Sequence, residues 1–397
     1  MAYKVIIFGS AITTTLLLIL IILRDPARAA IGDSVQYWAA ARLMIEGRNP
    51  YSAELVLELR HLAGNFTEFP PNSISMMLYP PWIIPLILPF GLLDFKYFRI
   101  LWLLIHIILI FISTKLIWNF YGGRTKLLWL GFLVAFTFEP TILVLGIGHI
   151  TTLHLLGLIG FLYFIHQQNN HKLFDIAAGA CVGLVTIKPQ LLIIFLLALL
   201  FWMIYQRRFL VLLGGAIVLI ISSLLSLMLN PSIFHRYWFA VSQYPLGAWA
   251  TPTIGGVLRL ILGINQEWLQ ILPTLLGCVW FTFYWWKRKD TWDWKEETPV
   301  LVLASVITST YVWTYDMVIL LLPVLQVVII SIRSEQRRLT ILLLFTYFFV
   351  SIVVTISHIF INEFWFFWFP AFILIWYLIG RRLSLQEHPN LESVNTE

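Results

Sequence analysis

Long apolar stretches alternate with short polar ones along almost the whole chain of 397 residues. The first apolar run, 5–23, is too long for a cleaved signal peptide and is followed by charged residues, which predicts a first membrane span. Further apolar segments lie at 79–93, 98–118, 127–145, 150–165, 174–187, 191–205, 209–229, 269–286, 299–313, 318–332, 339–360 and 364–379. Since a crossing needs about 20 apolar residues, this pattern predicts an all-α polytopic membrane helical bundle of about twelve transmembrane helices.

The composition agrees with this pattern. Hydrophobic residues make up 60% of the chain and charged residues only 12%, whereas about a quarter of the residues in a soluble globular protein are charged. An ordinary soluble protein is therefore excluded. Cys181 and Cys278 both lie in apolar segments without a CxxC pair, so the sequence predicts neither a zinc site nor a disulfide.

Basic clusters set the expected orientation in the membrane. Lysine and arginine outnumber aspartate and glutamate by 26 to 20. Most of the excess stands in clusters at Arg207-Arg208, at Lys287 to Lys289, at Arg333 with Arg337-Arg338, and at Arg381-Arg382. The positive-inside rule places these clusters in the cytoplasm. Both termini are expected there, with a single membrane domain over 1–382 and a cytoplasmic tail at 383–397. No nucleic-acid partner follows from the charge.

The same orientation places several polar stretches on the outer side. They are the first loop, 24–79, the stretch 230–253, and the positions around His149, Lys188, Tyr315 and Asp316. Connecting two outer loops across 79–145 needs an even number of crossings, yet this stretch holds three apolar segments. Because Glu139-Pro140 breaks the third of them, we expect that segment to be re-entrant.

The first outer loop is the longest non-membrane stretch and the natural place for chemistry at a membrane surface. We expect a short helix to begin at Asp33 and to lie in the plane of the outer interface. Its predicted apolar face consists of Val35, Trp38, Ala39 and Leu43.

Asp33 has two interpretations. With Gln36 three positions later it fits a capping box, which stabilises a helix by about 1 kcal/mol. Near a tyrosine and an arginine, its carboxylate can instead accept a proton from a sugar hydroxyl. The two roles are hard to combine in one carboxylate.

Three later residues also have alternative roles. Lys188, at the edge of two apolar segments, either extends to the interface or neutralises a bound anion such as a lipid phosphate. Asp316, in Trp313-Thr314-Tyr315-Asp316, is another outer carboxylate near the membrane and is either functional or structural. His149 could bond to a sugar or phosphate oxygen or serve the structure alone.

The sequence lacks the motifs of several common activities. It contains no P-loop, no GxGxxG, no HExxH and no nucleophile elbow. ATP-driven transport, dinucleotide chemistry, zinc proteolysis and serine esterase action therefore lack support. Nor does the chain have a soluble domain for a sugar nucleotide, so a lipid-linked donor is the simpler expectation if the protein transfers sugar.

The order of these elements resembles that of the GT-C membrane glycosyltransferases. The resemblance is strongest to glycosyltransferase family 87, which includes polyprenyl-phosphate-mannose-dependent mannosyltransferases, and it covers most of the chain. The matching positions are Asp33, Tyr37, Trp38, Gly47, Asn49, Pro50 and Tyr51, then Tyr79-Pro80-Pro81, Lys188-Pro189 and Trp313 to Asp316. Each motif is weak alone, but together and in this order they are fairly specific.

The resemblance implies an inverting enzyme on the outer face of the cell membrane. It would transfer a hexose, with mannose expected, from a polyprenyl phosphate to a glycolipid or glycan acceptor. Asp33 matches the family's catalytic carboxylate and would be the general base, while Lys188 would offset charge on the departing phosphate. The further substrate-binding candidates are Tyr37, Arg42, Asn49, Tyr51, Tyr79, His149, Tyr315 and Asp316. Neither a metal nor a cofactor is expected.

Two departures from the family pattern bear on the sugar and the acceptor. The chain has Gly148-His149 where the family often has Gly-x-Gln or Gly-Gln, and Tyr315-Asp316 where the late element often carries histidine. The alternative class is a polytopic transporter or lipid flippase, which predicts paired charges near the bilayer midplane and repeat symmetry. Neither is evident in the sequence. A degenerate family member retained as a scaffold is a third possibility.

Overall fold

The structure is a computed structural model that describes residues 32–64, 76–167, 171–243 and 251–386, without the side chains of His171 and of residues 385–386. Every regular element in these ranges is helical, and none of them contains a strand. The predicted all-α class is therefore confirmed. The predicted first span, 5–23, and residues 387–397 of the predicted tail lie outside the described residues.

Seventeen α-helices lie in the described ranges. In chain order they are α1 (Ser34–Ile45), α2 (Ala53–Leu62), α3 (Ile84–Ile87), α4 (Phe95–Phe120), α5 (Leu128–Thr137), α6 (Glu139–Ile147), α7 (Thr152–Ile165), α8 (His171–Val185), α9 (Ile193–Gln206), α10 (Leu210–Leu229), α11 (Ile233–Gln243), α12 (Ile254–Leu262), α13 (Trp268–Arg288), α14 (Trp294–Thr308), α15 (Leu321–Arg333), α16 (Arg337–Ser357) and α17 (Phe369–Gln386). Short 3₁₀ turns stand between several of them, notably at Pro81–Ile83, Leu88–Leu92, Pro189–Leu192 and Thr314–Leu320.

Six helical stretches of the described chain are long and apolar enough to cross a membrane. They are Phe95–Phe120, Pro189–Gln206, Leu210–Leu229, Thr314–Arg333, Arg337–Ser357 and Glu363–Ser384. A bent helix pair adds a seventh if the pair forms one span. The protein is thus a multi-pass membrane protein, while the total of about twelve crossings stays a prediction.

The bent pair contains the break that the sequence predicts. Thr125–Thr137 and Glu139–Ile147 differ in direction by 62°. Pro140 lies in the first turn of α6, where a proline is tolerated because the N–H that it lacks has no helical partner there. The stretch Pro81–Leu92 is also apolar and helical, but it reaches only about 18 Å of the ~30 Å apolar core. It is therefore a second candidate for the re-entrant segment, whose assignment to 127–145 stays a prediction.

The described chain divides into two compact units. The first unit holds the described residues of Met1–Leu109, Val144–Ile150 and Gly215–Pro245, and the second holds those of Ile110–Leu143, Thr151–Gly214 and Leu246–Glu397. The single membrane domain over 1–382 stays a prediction.

Helix α1 lies in the interior of the first unit. Nine of its twelve residues are buried, and the run Ala39-Ala40-Ala41 is fully so. These small side chains let the turn Leu88–Leu92 approach the helix backbone, since a Cβ on Gly91 would lie 2.6 Å from the Ala41 carbonyl carbon. The predicted helix is present, but it is buried on almost all sides rather than along the single apolar face that the sequence indicated.

The core of the second unit is formed by α15 and the 3₁₀ turn Thr314–Leu320 before it. The stretch Thr314–Arg333 contains a highly apolar segment of 18 residues, and 83% of this segment is buried. Helix α15 packs against α14, α16 and α17. This burial fixes the turn that carries Asp316.

Candidate active site

The Asp33 side chain lies at the first turn of α1 and is 29% exposed. It accepts no capping hydrogen bond from the backbone of this helix, all of which is described. Gln36 donates its Nε2 to the Asp33 Oδ1 at 3.4 Å, and Asp33 Oδ2 lies 3.9 Å from the Nε2 of His149. The arrangement therefore disfavours the helix-cap interpretation of Asp33 and leaves its carboxylate beside a histidine.

His149 brings two predicted site residues together. Its Nε2 is 2.7 Å from the Tyr79 hydroxyl oxygen and 3.9 Å from Asp33 Oδ2. The hydroxyl donates when Nε2 carries no hydrogen and accepts when it does, so the two tautomers of the ring reverse this bond. His149 is only 1% exposed, whereas Asp33 is 29% exposed and Tyr79 is half-buried, so solvent or a substrate can reach these two members of the group.

A tight turn after α6 presents His149. Gly148 ends the helix in the left-handed region at φ +72°, and the N–H groups of Gly148 and His149 both donate to the Val144 carbonyl, at 2.8 and 3.2 Å. This is the usual glycine termination of a helix. A Cβ on Gly148 would lie 2.8 Å from both Arg99 Nη1 and Ser34 Cβ, so the turn also needs glycine to approach the start of α1.

Two residues of α4 hold this turn and were missed by sequence reasoning. Arg99 donates its Nη2 to the carbonyls of Leu145 and Gly146, at 3.1 and 2.6 Å. Trp102 donates its Nε1 to the Gly148 carbonyl at 2.8 Å. A signal for Arg99 was available, because a charged residue in an apolar helix is costly unless it has a function.

Tyr37 completes an aromatic wall behind the group. Its ring centroid lies 5.8 Å from those of Tyr79 and Trp102 and 6.4 Å from that of His149. The side chain is 1% exposed. Tyr37 therefore positions the other rings, and its predicted contact with substrate stays a prediction.

Arg60 supplies positive charge near Asp33. The pKa of Arg60 is lowered to about 10, because the effect of burial exceeds the opposite effect of the Coulomb attraction to Asp33. Arginine with such a pKa is still charged at neutral pH, so it favours the ionised form of the Asp33 carboxylate. Sequence reasoning missed Arg60, which stands in no motif of the chain.

Three further predicted residues form hydrogen bonds with partners other than Asp33 and His149. Tyr51 donates its hydroxyl to the Tyr79 carbonyl at 2.8 Å, and burial raises the pKa of this phenol, which keeps it protonated. Asn49 accepts the Tyr51 N–H at 3.1 Å. Arg42 donates to Glu46 at 3.0 Å and to the Gly91 carbonyl at 3.2 Å. Asn49 and Tyr51 thus support Tyr79, whereas Arg42 belongs to a separate groove.

The second unit joins Lys188 to Asp316. Lys188 Nζ donates to Asp316 Oδ2 at 2.5 Å, and the two side chains are 5% and 0% exposed. Asp316 Oδ1 accepts from the Thr151 hydroxyl at 2.9 Å, and Oδ2 accepts the Trp313 N–H at 3.0 Å. Two predicted site residues therefore form one buried ion pair.

Aromatic rings surround this ion pair. Lys188 Nζ lies 5.1 Å from the Tyr311 ring centroid and 5.5 Å from that of Tyr315, which are cation–π distances. Tyr315 stacks on Trp313 at 6.4 Å. The predicted residues Lys188, Tyr315 and Asp316 are thus close together. Tyr311 was missed because the cation that it contacts, Lys188, is distant in sequence.

Neither cluster has the ligands of a metal centre. In the parts of the chain that the structure describes, no group of three or more His, Cys, Asp or Glu side chains could hold a metal ion. Protein metal sites usually draw three or four such ligands from the chain.

The apolar helices and the buried ionisable clusters define a multi-pass membrane protein with the type of side chains that enzymes use. The model of glycosyltransferase family 87 matches residues 77–310, more than half of the chain. The protein therefore belongs to glycosyltransferase family 87 and is a membrane glycosyltransferase, with a donor and an acceptor as substrates. No curated protein and no solved structure matches it.

The match confirms the predicted family resemblance. It includes Tyr79, His149 and Lys188, but it begins after Asp33 and ends before Asp316. The roles of all the predicted site residues stay proposals.

Proposed function

We propose that the protein transfers a hexose, with mannose expected, from a polyprenyl phosphate to a glycolipid or glycan acceptor, and that Asp33 is the general base. The observation that carries this proposal is the position of the Asp33 carboxylate. It lies 3.9 Å from His149 Nε2 and is 29% exposed, and it makes no capping bond to its own helix. An accessible carboxylate with these neighbours is equipped to accept a proton.

The proposed reaction is a single displacement. The acceptor oxygen forms a bond to the anomeric carbon while the bond from that carbon to the phosphate oxygen breaks, so the anomeric configuration inverts. The hydroxyl proton passes to Asp33, and the electron pair of the broken bond leaves with the polyprenyl phosphate. Arg60 would keep Asp33 ionised before the transfer.

His149 and Tyr79 would position the acceptor rather than take its proton. Their 2.7 Å hydrogen bond and the low exposure of His149 fix the histidine ring beside the base. A sugar hydroxyl close to Asp33 would therefore meet a fixed polar partner. Such orientation is a large part of what enzymes contribute to a reaction between two substrates.

Lys188 is the proposed ligand of the departing phosphate. Its ammonium would offset negative charge as the phosphate leaves. Because Asp316 already pairs with it at 2.5 Å, a phosphate has to share the lysine with this carboxylate or displace it. Tyr315 and Asp316 would then affect donor binding through Lys188.

The proposed topology follows from charge. The clusters Arg207-Arg208, Lys287 to Lys289, Arg337-Arg338 and Arg381-Arg382 would lie in the cytoplasm with both termini, which leaves the Asp33 site on the outer face.

The alternative class is a transporter or lipid flippase, which predicts paired charges near the bilayer midplane. Lys188 and Asp316 form a buried ion pair, but the proposed topology puts both residues at the outer surface, where such a pair serves stability or anion binding. Membership of glycosyltransferase family 87 favours the transferase.

The decisive experiment is sugar transfer by purified protein in nanodiscs, offered radiolabelled polyprenyl-phosphate sugars and native lipid acceptors. Wild-type protein should transfer one sugar, and Asp33→Asn should not. Glu54→Gln, which removes an exposed carboxylate in the first turn of α2, is the matched control and should retain transfer. Full transfer by Asp33→Asn would exclude Asp33 as the base, and no transfer by folded wild-type protein would favour the transporter.

A further inference from the structure

The first unit has a groove of about 370 Å³ along α1. Trp38, Arg42 and Glu46 line it at intervals of four residues, so they share one face of the helix. The groove is also lined by Asp94 and Lys96 at the start of α4 and by residues at the end of α2. Small-molecule sites usually occupy roughly 300–1,000 Å³, so the groove is large enough for a ligand of one or two rings.

This groove is separate from the Asp33 site. Asp33 has helical backbone angles, φ −69° and ψ −19°. Its position around the axis of α1 therefore follows from regular helix geometry. At about 100° per residue, Arg42 lies roughly 180° around the helix from Asp33 and about 14 Å further along its axis. A ligand in the groove therefore does not occupy the place of the reacting hydroxyl.

The charges in the groove are balanced. Arg42 and Lys96 are cations, and Glu46 and Asp94 are anions. A phosphate would meet two carboxylates there, and an amine would meet two cations. A sugar hydroxyl both donates and accepts hydrogen bonds, so it can use both kinds of side chain at once.

The polar groups remain accessible at the groove. The Arg42 and Glu46 side chains are 39% and 33% exposed, and Asp94 is exposed. Each can therefore bond to a ligand without leaving its present position.

The α1 side of the groove is held in place by contacts within the protein. Trp38 donates its Nε1 to the Leu93 carbonyl at 2.8 Å, and its ring packs edge to face on Phe95 at 5.4 Å. Arg42 is held by Glu46 at 3.0 Å and by the Gly91 carbonyl at 3.2 Å. Binding to such a surface loses little side-chain entropy.

We infer that this groove is a second saccharide-binding site, which binds a neutral sugar chain away from the reacting centre. In a glycosyltransferase it would hold a remote part of the acceptor or of the product. The inference does not depend on Asp33 being the base, since it concerns binding alone.

The test is saturation-transfer NMR on the full chain in a sugar-free amphipol, because maltoside detergents carry glucose rings. The probes are methyl α-mannoside and a mannobiose. We expect saturable binding with a Kd on the order of 1 mM, tighter for the disaccharide. Asp94→Ala and Lys96→Ala should each weaken it about tenfold, whereas Asp33→Asn and the exposed control Glu54→Gln should leave it unchanged.

Asp94→Asn keeps a good helix-start residue before α4 and removes only the charge, so a weakening there reports lost ligand contact rather than misfolding. Four results would each overturn the inference. They are no saturable signal from folded protein, unchanged binding in both alanine variants, loss of binding in Asp33→Asn, and displacement of the sugar by inorganic phosphate.

Discussion

The Lys188 ammonium and the Asp316 carboxylate are 2.5 Å apart, and neither side chain is more than 5% exposed. Removing one partner of a buried ion pair leaves the other charge without compensation, which costs about 3–5 kcal/mol. We therefore expect Lys188→Met and Asp316→Asn each to lower the free energy of unfolding by about this amount. The double variant should lose less than the sum of the two, as measured by denaturation in mixed micelles.

The matched control for this pair is Glu58→Gln. Glu58 accepts from Arg48 at 2.8 Å in an exposed salt bridge, and such pairs contribute about 0–1 kcal/mol. If Asp316→Asn is as mild as Glu58→Gln, the ion pair does not have the energetic role that its burial implies.

Gly148 should tolerate no side chain. Gly148→Ala places a Cβ 2.8 Å from Arg99 Nη1 and Ser34 Cβ and puts alanine at φ +72°, which alone costs about 1–2 kcal/mol. Because the same turn carries His149, transfer activity should fall as well. Activity assays and unfolding midpoints measure the two effects.

Gly146 is the natural comparison for Gly148. A Cβ on Gly146 meets nothing within 4 Å, so Gly146→Ala should preserve both stability and transfer. Equal behaviour of the two variants would contradict the close approach of the turn to α1.

Tyr79→Phe should reduce activity more than stability. It removes the hydroxyl that bonds to His149 at 2.7 Å, a loss of about 0.5–1.5 kcal/mol in folding. The histidine ring then loses one of the contacts that orient it, and kcat should fall. Tyr347→Phe loses a comparable buried bond, to the Val134 carbonyl at 2.6 Å. Tyr347→Phe should lose as much stability as Tyr79→Phe but keep the wild-type kcat. If kcat falls equally in both variants, the loss comes from removing any buried tyrosine hydrogen bond and not from the contact with His149.

Arg60 should control the acid limb of the pH–rate profile. Its Coulomb interaction with Asp33 favours the ionised carboxylate, and Arg60→Met removes that positive charge. Protonation of Asp33 then begins at a higher pH, so the acid limb should move to higher pH while the alkaline rate changes little. Arg124→Met, at a side chain that is 54% exposed, should leave the profile in place. If the acid limb of Arg60→Met is unchanged, Arg60 does not interact with the group whose protonation causes this limb.

The helices could be predicted because a membrane admits few alternatives. Backbone polar groups in an apolar medium must bond within their own segment, so the apolar run 209–229 becomes the helix Leu210–Leu229 with little change. The break at Glu139-Pro140 was also visible. The burial of α1 was not, because a sequence period distinguishes one apolar face from one polar face and says nothing about a helix packed on almost all sides.

The candidate site was predictable in part. Family resemblance pointed to Asp33 and Tyr79, the residue type pointed to His149, and the structure brings the three together. The bond between Lys188 and Asp316 spans 128 positions, and no local spacing encodes such a contact. Arg60 and Arg99 have no motif, although Arg99 lies in an apolar helix where a charge calls for an explanation.

The alanine run Ala39-Ala40-Ala41 has a further consequence for Asp33. Because the backbone of α1 is in close contact with the turn Leu88–Leu92, the helix cannot slide along this turn without a clash. The backbone that carries the Asp33 carboxylate is therefore ordered when the protein folds, and this entropy is not lost again when a substrate arrives.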